Sequence, residues 1–361
     1  MKMFPALEKK YTKEQLRILE AQKLAHHIAF APVIFQVSRL MVKFGIFQLL
    51  SDTRGGLTME ELVEKTKLSR YAVQVLLESS LTIGTVLYEN ERFVTSKAGW
   101  LLLTDPLIGV NLRFNHDVTY LGMYNMEEAL LNGKPEGLKV FGEWKTVYEG
   151  LSSLPDAAQR SWFEFDHFYS DNSFDEALQI VFSYNISKLL DVGGNTGRWA
   201  LRCVDYNKDV NVTIMDLPQQ LGLMKKFISG KTGEERISGH GANLLDKNEP
   251  FPRGFDAIWM SQFLDCFAEE EITSIVSRAA ESMDENSRLF VMETFWDRQN
   301  NDLAAFCLAQ TSLYFSVMAN GNSKMYYSED MIRCIEAGGL RIETIHDGLK
   351  SGHSILVCKK A

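Results

Sequence analysis

The chain has 361 residues, 45% of them hydrophobic, 24% charged and 11% aromatic, a globular composition that excludes a mostly disordered, collagen-like or low-complexity chain. A formal net charge of −9 argues against nucleic acid and anionic membrane as partners. Five widely spaced cysteines, Cys203, Cys266, Cys307, Cys334 and Cys358, form no C-x-x-C pair, which predicts reduced thiols of a cytoplasmic protein with neither a disulfide framework nor a metal site.

The first twenty residues carry charge throughout and lack the apolar stretch of a signal peptide. Residues 28–50 are the one run that suggests a membrane span, but Gln36, Arg39, Lys43, Gly45 and Gln48 interrupt it, and cations mid-bilayer are costly. Two helices that bury against the protein itself or a second subunit are expected instead. Thr58 and Glu61 form a T-x-x-E capping box opening a helix through Lys65, and Ser69 caps a second through about Leu81. Val86–Glu89 and Arg92–Thr95 then read as a small hairpin. This is the winged-helix order, yet residues 51–105 hold six basic and eight acidic side chains, the wrong sign for a phosphate-binding face. A packing or dimerisation module is the expected role. The predicted layout is a mostly α-helical winged-helix domain over residues 1–110, an aromatic-rich helical connector over 111–172 that roofs a pocket, and a third region over 173–361.

In that third region strands alternate with helices. Lys188–Val192, Asn211–Met215, Ala257–Met260, Arg288–Glu293, Arg341–His346 and Ser354–Lys359 are the predicted strands, and their spacing implies an α/β fold with a largely parallel, Rossmann-like sheet. Only residues 347–352 separate the last two strands, too few for a parallel crossover, so an antiparallel final hairpin is expected.

The most informative stretch is Leu189–Gly197, an apolar strand running into a glycine-rich turn. Gly193, Gly194 and Gly197 permit a tight turn and close approach of a ligand to the backbone, and the helix behind them offers free N–H groups. Asp216 ends the next strand, 19 residues past Gly197, where a carboxylate can accept bonds from both hydroxyls of an adenosine ribose. A strand-end acid can also be solvated or hold a loop by hydrogen bonds. A dinucleotide would place its pyrophosphate on the turn beside Asp191, whereas S-adenosylmethionine has no phosphate and brings positive charge. The residues favour S-adenosylmethionine over a nicotinamide cofactor.

Asp191-Val-Gly-Gly-Asn-Thr-Gly197, Met215-Asp-Leu-Pro218 and Phe255-Asp-Ala-Ile-Trp-Met260 resemble the S-adenosylmethionine-dependent O-methyltransferases typified by plant caffeic acid and animal hydroxyindole enzymes. The resemblance extends to the winged-helix half, a dimerisation domain in that family. It implies a class I methyltransferase sheet and a homodimer with intertwined N-terminal helices. Asp191, Gly193, Gly194 and Gly197 would line the cofactor, Gly193 against its methionine part, with Asp216 and Leu217 at the ribose. Asn243 and Leu244 stand where the family has an Asp-Met pair beside adenine, and Ser261 where plant members have a cofactor-contacting Lys.

The catalytic positions depart from the family. Met260–Phe267 places Asp265 where a His takes the acceptor's proton, and Cys266 beside it. Glu293 matches the first of two acids flanking that His; Met325 replaces the second. Asp265 and Glu293 are therefore the candidate catalytic residues. A carboxylate near pKa 4 is a weak base toward a phenol near 10, about six units uphill, unless burial raises it. A carboxylate facing a sulfonium also stabilises the charged ground state, which methyl transfer then disperses. His167, in an aromatic stretch, is a replacement base or a packed residue; His240 is a loop residue near adenine, and Cys266 lacks a local His to activate it. Phe306, Tyr314, Phe315, Met318, Met325 and Tyr326 line an acceptor pocket or pack a core.

The expected function is methyl transfer from S-adenosyl-L-methionine to a hydroxyl of a small, aromatic acceptor by a cytoplasmic homodimer. The altered catalytic set keeps two alternatives open: a reaction without methyl transfer on the same scaffold, and a non-catalytic ligand-sensing dimer.

Overall fold

The computed structural model describes residues 2–361, which divide into two compact units, Glu14–Asp117 and Val118–Ala361, the latter joined by the segment preceding Glu14. That N-terminal segment therefore packs apart from the rest of the predicted 1–110 domain. Its Phe4 N–H donates to the Asp297 carbonyl at 3.1 Å, and Leu7 is fully buried. Most of the predicted connector likewise belongs to the larger unit.

In the smaller unit, residues 28–50 break into two helices, Ala31–Lys43 and Ile46–Asp52, bent by 58° where Gly45 adopts φ +69°. The capping box forms as predicted, the Glu61 N–H donating to Thr58 Oγ1 at 3.2 Å and the Thr58 N–H to Glu61 Oε2 at 2.8 Å. Helix Arg70–Ile83 leads into the hairpin β1 (Val86–Glu89) and β2 (Arg92–Thr95), whose turn residues Asn90 and Glu91 both take positive φ, the geometry a two-residue hairpin requires. Met41, Ile46, Phe47, Leu62, Val73, Leu77 and Val86 form the core. Helix Ile18–Ala29 buries none of its residues, leaving Ile18, Leu19 and Ile28 in the open.

The larger unit is a seven-stranded sheet: β3 (Lys188–Val192), β4 (Asn211–Asp216), β5 (Ile237–Gly241), β6 (Ala257–Ser261), β7 (Arg288–Glu293), β8 (Leu340–His346) and β9 (Ser354–Lys360), in the order β5-β4-β3-β6-β7-β9-β8. The first five in that order run parallel, and β9 lies antiparallel between β7 and β8, as the short 347–352 link requires. The six predicted strands are present. β5 was not predicted, because in Ile237-Ser-Gly-His-Gly241 only Ile237 is among the β-branched and aromatic residues that mark a strand, and two of the five are glycine. It forms as an edge, paired only to β4.

Side chains alternate across the sheet as a doubly covered sheet demands. Leu189, Trp259 and Phe290 face helices Phe174–Val181, Arg198–Tyr206 and Pro218–Ile228, while Leu190, Ile258 and Val291 face helices Glu269–Ser282 and Ser328–Ala337. At the centre Trp259 stacks on Trp199 with ring centroids 4.3 Å apart. Residues 302–319 form a helix also long and apolar enough to cross a membrane by composition, a second such run beside 28–50; Leu308, Tyr314, Val317 and Met318 are buried in the unit. Trp259 is 1% exposed, so Trp259→Ala leaves a cavity at the sheet centre. A loss of about 3–5 kcal/mol is expected in denaturant unfolding followed by circular dichroism.

Candidate functional site

The chain leaves β3 toward β4 and β5 on one side and returns to β6 and β7 on the other. The carboxyl ends of β3 and β6 therefore bound a topological switch point, where open α/β sheets bind ligands. The glycine turn sits there. Gly193 has φ +72°, and a Cβ on it would come within 2.3 Å of the Phe263 ring, so the position requires glycine. A Cβ on Gly194 would meet the Asp191 carboxylate at 2.5 Å.

Asp216 ties this turn to β4. Its Oδ2 accepts the Asn195 N–H at 2.9 Å and its Oδ1 the Leu217 N–H at 2.7 Å, so the loop-holding role is real. A carboxylate has about four acceptor directions, which leaves capacity for ribose hydroxyls. Burial raises its pKa, against those two N–H bonds. Asp191 is 2% exposed with Oδ2 unpartnered; burial first, then repulsion from Asp216, pushes it up to about 8. Thr196 Oγ1 and Ser261 Oγ are also buried without partners. Asn243 lies past the end of β5, exposed, its Oδ1 accepting the Leu245 N–H at 3.1 Å. The Leu244 side chain enters the core, so only its backbone can face a ligand.

On the other side of the switch, β6 ends at Ser261, and Gln262 turns sharply with φ +45°, its N–H donating to the Met292 carbonyl at 3.0 Å. Glu293, the last residue of β7, is 1% exposed. Its Oε1 accepts the N–H groups of Phe263 and Leu264 at 3.0 and 2.9 Å, while Oε2 is buried without a partner. That carboxylate holds the short turn Leu264–Cys266, and with it Asp265, which is 4% exposed. Burial raises Asp265 to about 7, and burial plus repulsion from Asp265 raises Glu293. Among the described residues no Lys or Arg figures among the main influences on either acid.

The Cys266 thiol donates to Asp265 Oδ1 at 3.4 Å and is hydrogen-bonded by Tyr148; burial pushes its pKa far up, so it is no nucleophile. His167 stacks on Phe163 and lies 3.7 Å from Asp166, and burial with the nearby Arg198 lowers it to about 4, making it a neutral side chain. With Arg160 and Arg198 it lines a surface cleft of about 500 Å³. Tyr314, Phe315, Met318, Met325 and Tyr326 are buried, but Phe306 is 56% exposed.

Sequence reasoning missed four residues. Asp166, from helix Asp156–Asp171, accepts the Asn195 amide at 3.2 Å and is pushed to about 7 by burial and by Asp171 and Asp265. Asn195 and Gln262 carry left-handed backbone, and Tyr148 reaches Cys266. The one available signal was the placement of Asp166, with Glu164 and His167, inside an aromatic-rich run, Phe163-Glu-Phe-Asp-His-Phe-Tyr169. Among the described residues no cluster of three or more His, Cys, Asp or Glu is placed to hold a metal ion.

The Asp191 shift has a stability consequence. The folded chain keeps this proton up to about pH 8, whereas an unfolded aspartate releases it near 4. The native state binds more protons across that interval, so the contribution is full below about pH 4 and is lost as pH rises through 8. Between about pH 5 and about pH 8 the melting temperature of Asp191→Asn is expected to fall less than that of the natural protein; an equal fall contradicts the assignment.

Residues 156–334 match the O-methyltransferase domain family, and residues 22–93 match the Dimerisation2-like domain. L-tyrosine C(3)-methyltransferase of Streptomyces lavendulae is 22% identical over 321 residues, covering 88% of this chain and 86% of that protein. Human acetylserotonin O-methyltransferase is 21% identical over 300 residues, 77% of this chain and 81% of that protein. Its crystal structure in complex with S-adenosylmethionine aligns with a TM-score of 0.66 over 97% of this chain and 99% of that one, at 16% identity. The apo methyltransferase SibL aligns at 0.70 over 92% and 98%, with 20% identity, so the sheet and its helices share this fold. With the glycine turn, the strand-end acid and both domain matches in place, the chain belongs to the O-methyltransferase family with an N-terminal dimerisation domain.

Proposed function

We propose that this chain transfers the methyl group of S-adenosylmethionine to a hydroxyl of a small aromatic acceptor, with Asp265 as the base. The family is S-adenosylmethionine-dependent, and its members named above act on oxygen in one case and carbon in another. The donor set at the glycine turn fits this cofactor: buried Asp191, with Oδ2 unpartnered, and half-buried Asp216 offer acceptors to a ligand that brings hydroxyl and N–H donors with positive charge. Asp216 and Leu217 would hold the ribose, Asp191, Gly193, Gly194 and Gly197 the methionine part, with Asn243, the Leu244 backbone and Ser261 on the adenine side. When bound, the cofactor supplies an electrophilic methyl on a sulfonium.

One observation carries the choice of base. Asp265 is buried at the carboxyl end of β6, raised to about 7, with no basic partner among the main influences on it. The gap to a phenol near 10 shrinks to about three units, so proton transfer accompanying attack becomes accessible. Glu293 is a positioning residue: through the Phe263 and Leu264 N–H groups it aims the turn that carries Asp265. The chain's remaining contribution is orientation and exclusion of water.

Incubation with S-adenosylmethionine and a panel of hydroxylated aromatics is expected to yield one S-adenosylhomocysteine per product. Asp265 must be ionised to act, so kcat/KM should rise with pH through about 7, and Asp265→Asn should lower kcat by about a hundredfold or more. Product without S-adenosylhomocysteine, or an undiminished Asp265→Asn, contradicts the reading.

The exposed apolar residues of helix Ile18–Ala29 lie within or beside the dimerisation-domain match, and they support a homodimer formed through the smaller unit. Sedimentation should give a dimer at micromolar concentration, and the double variant Ile18→Glu, Ile28→Glu a monomer; a monomeric natural protein contradicts this.

A further inference from the structure

Buried polar atoms without a partner gather on two sides of the switch point. Asp191 Oδ2, Asn195 Oδ1 and Thr196 Oγ1 lie on the glycine turn, where Asp216 also stands. Glu293 Oε2 lies at the end of β7 and Gln262 Oε1 just past the end of β6. In the order β3-β6-β7, neighbouring strands stand about 4.8 Å apart, so Glu293 is roughly 10 Å across the sheet from Asp191. One ligand group cannot satisfy both sets. The first belongs to the proposed cofactor; the second remains for the acceptor.

The acceptor side has a definite chemistry. Repulsion from Asp265 raises both Glu293 and Asp166, the latter from helix Asp156–Asp171, and among the described residues Arg198, acting on Asp166, is the one cation among the main influences on the three. The surrounding side chains are aromatic: Tyr148 and Tyr314 both feel Asp265, and Trp162 donates its indole N–H to the Tyr314 oxygen at 2.6 Å. Asp265 and Glu293, both buried, are costly to ionise without a cation, the Asp166 side chain is half-buried at 27% exposure, and a cation delivered among them offsets that cost. A ligand anion would be repelled, and a purely apolar ring would leave Glu293 Oε2 unsatisfied.

We propose that the acceptor is an aromatic molecule bearing a cationic amino group, which Glu293 Oε2 receives beside Asp265 and Asp166. This deepens the methyltransferase reading and rests on it.

Calorimetric titration of the full-length protein saturated with S-adenosylhomocysteine tests it with ligands matched in all but one group. One series is tyramine, para-ethylphenol and para-hydroxyphenylpropionate; the other is tryptamine, ethylindole and indolepropionate. In at least one series the amine should bind about tenfold tighter than its neutral partner, with the carboxylate weakest. Glu293→Gln should erase the preference, and Asp166→Asn, which leaves the turn's support intact, should reduce it. Should Glu293→Gln not fold, the ligand series on the natural protein and on Asp166→Asn decides. Equal or tighter binding of the neutral or anionic members, or no detectable binding of either amine, overturns the inference while leaving the methyltransferase reading standing. Failure of S-adenosylhomocysteine itself to bind removes the reading beneath it.

Discussion

A single buried carboxylate organises the reactive side of this molecule. Glu293 ends a central strand and accepts two consecutive backbone N–H groups from the turn after β6. Those donors would otherwise be unsatisfied in an apolar interior, a cost of about 1–3 kcal/mol each. The turn is further held by Asn320, whose amide donates to the Cys266 carbonyl, and by Tyr326, whose hydroxyl donates to the Phe267 carbonyl at 2.6 Å. Held in this way, the turn presses Phe263 against Gly193 and carries Asp265 into the interior. The sharp backbone of Gln262 fits the same constraint: strained conformations persist where the surroundings over-determine them.

The electrostatics follow from that placement. A parallel sheet buried on both faces offers polar groups an outlet only at its edges and strand ends, and here the carboxyl ends hold Asp191, Asp216, Asp265 and Glu293. Removed from water, each is pushed toward its protonated form, and repulsion deepens the shift of Asp191, from Asp216, and of Glu293, from Asp265. On the proposed reading, the same burial that makes the Asp265 carboxylate costly to ionise makes it a better base near neutral pH. On the same reading, both halves of the site favour ligands that bring positive charge or N–H donors.

The parts of this account that were legible in the sequence are those governed by local rules. The capping box at Thr58, the hairpin at Asn90 and the division of residues 28–50 into two helices follow from spacing and turn chemistry within a few residues, and they form as read. The glycine turn and Asp216 were visible because strand, turn and acid fall in one short segment. β5 was not, since an edge strand of Gly, Ser and His is specified by its partner β4 rather than by its own composition. The support that Glu293 gives the Asp265 turn joins residues about thirty apart in the chain, and Asp166 reaches Asn195 from 29 residues away. Such contacts leave no periodic trace in a sequence. The grouping of the segment before Glu14 with the larger unit was hidden for the same reason: Phe4 bonds to Asp297, a partner that only the folded chain brings near.

The measurement closest to the centre of this account is calorimetric titration of the purified protein with S-adenosylmethionine, with an Asp216→Ala variant shown to be folded alongside. The account predicts saturable, one-to-one binding to the natural protein and its loss in the variant. No binding to the folded natural protein, or undiminished binding to Asp216→Ala, would contradict it.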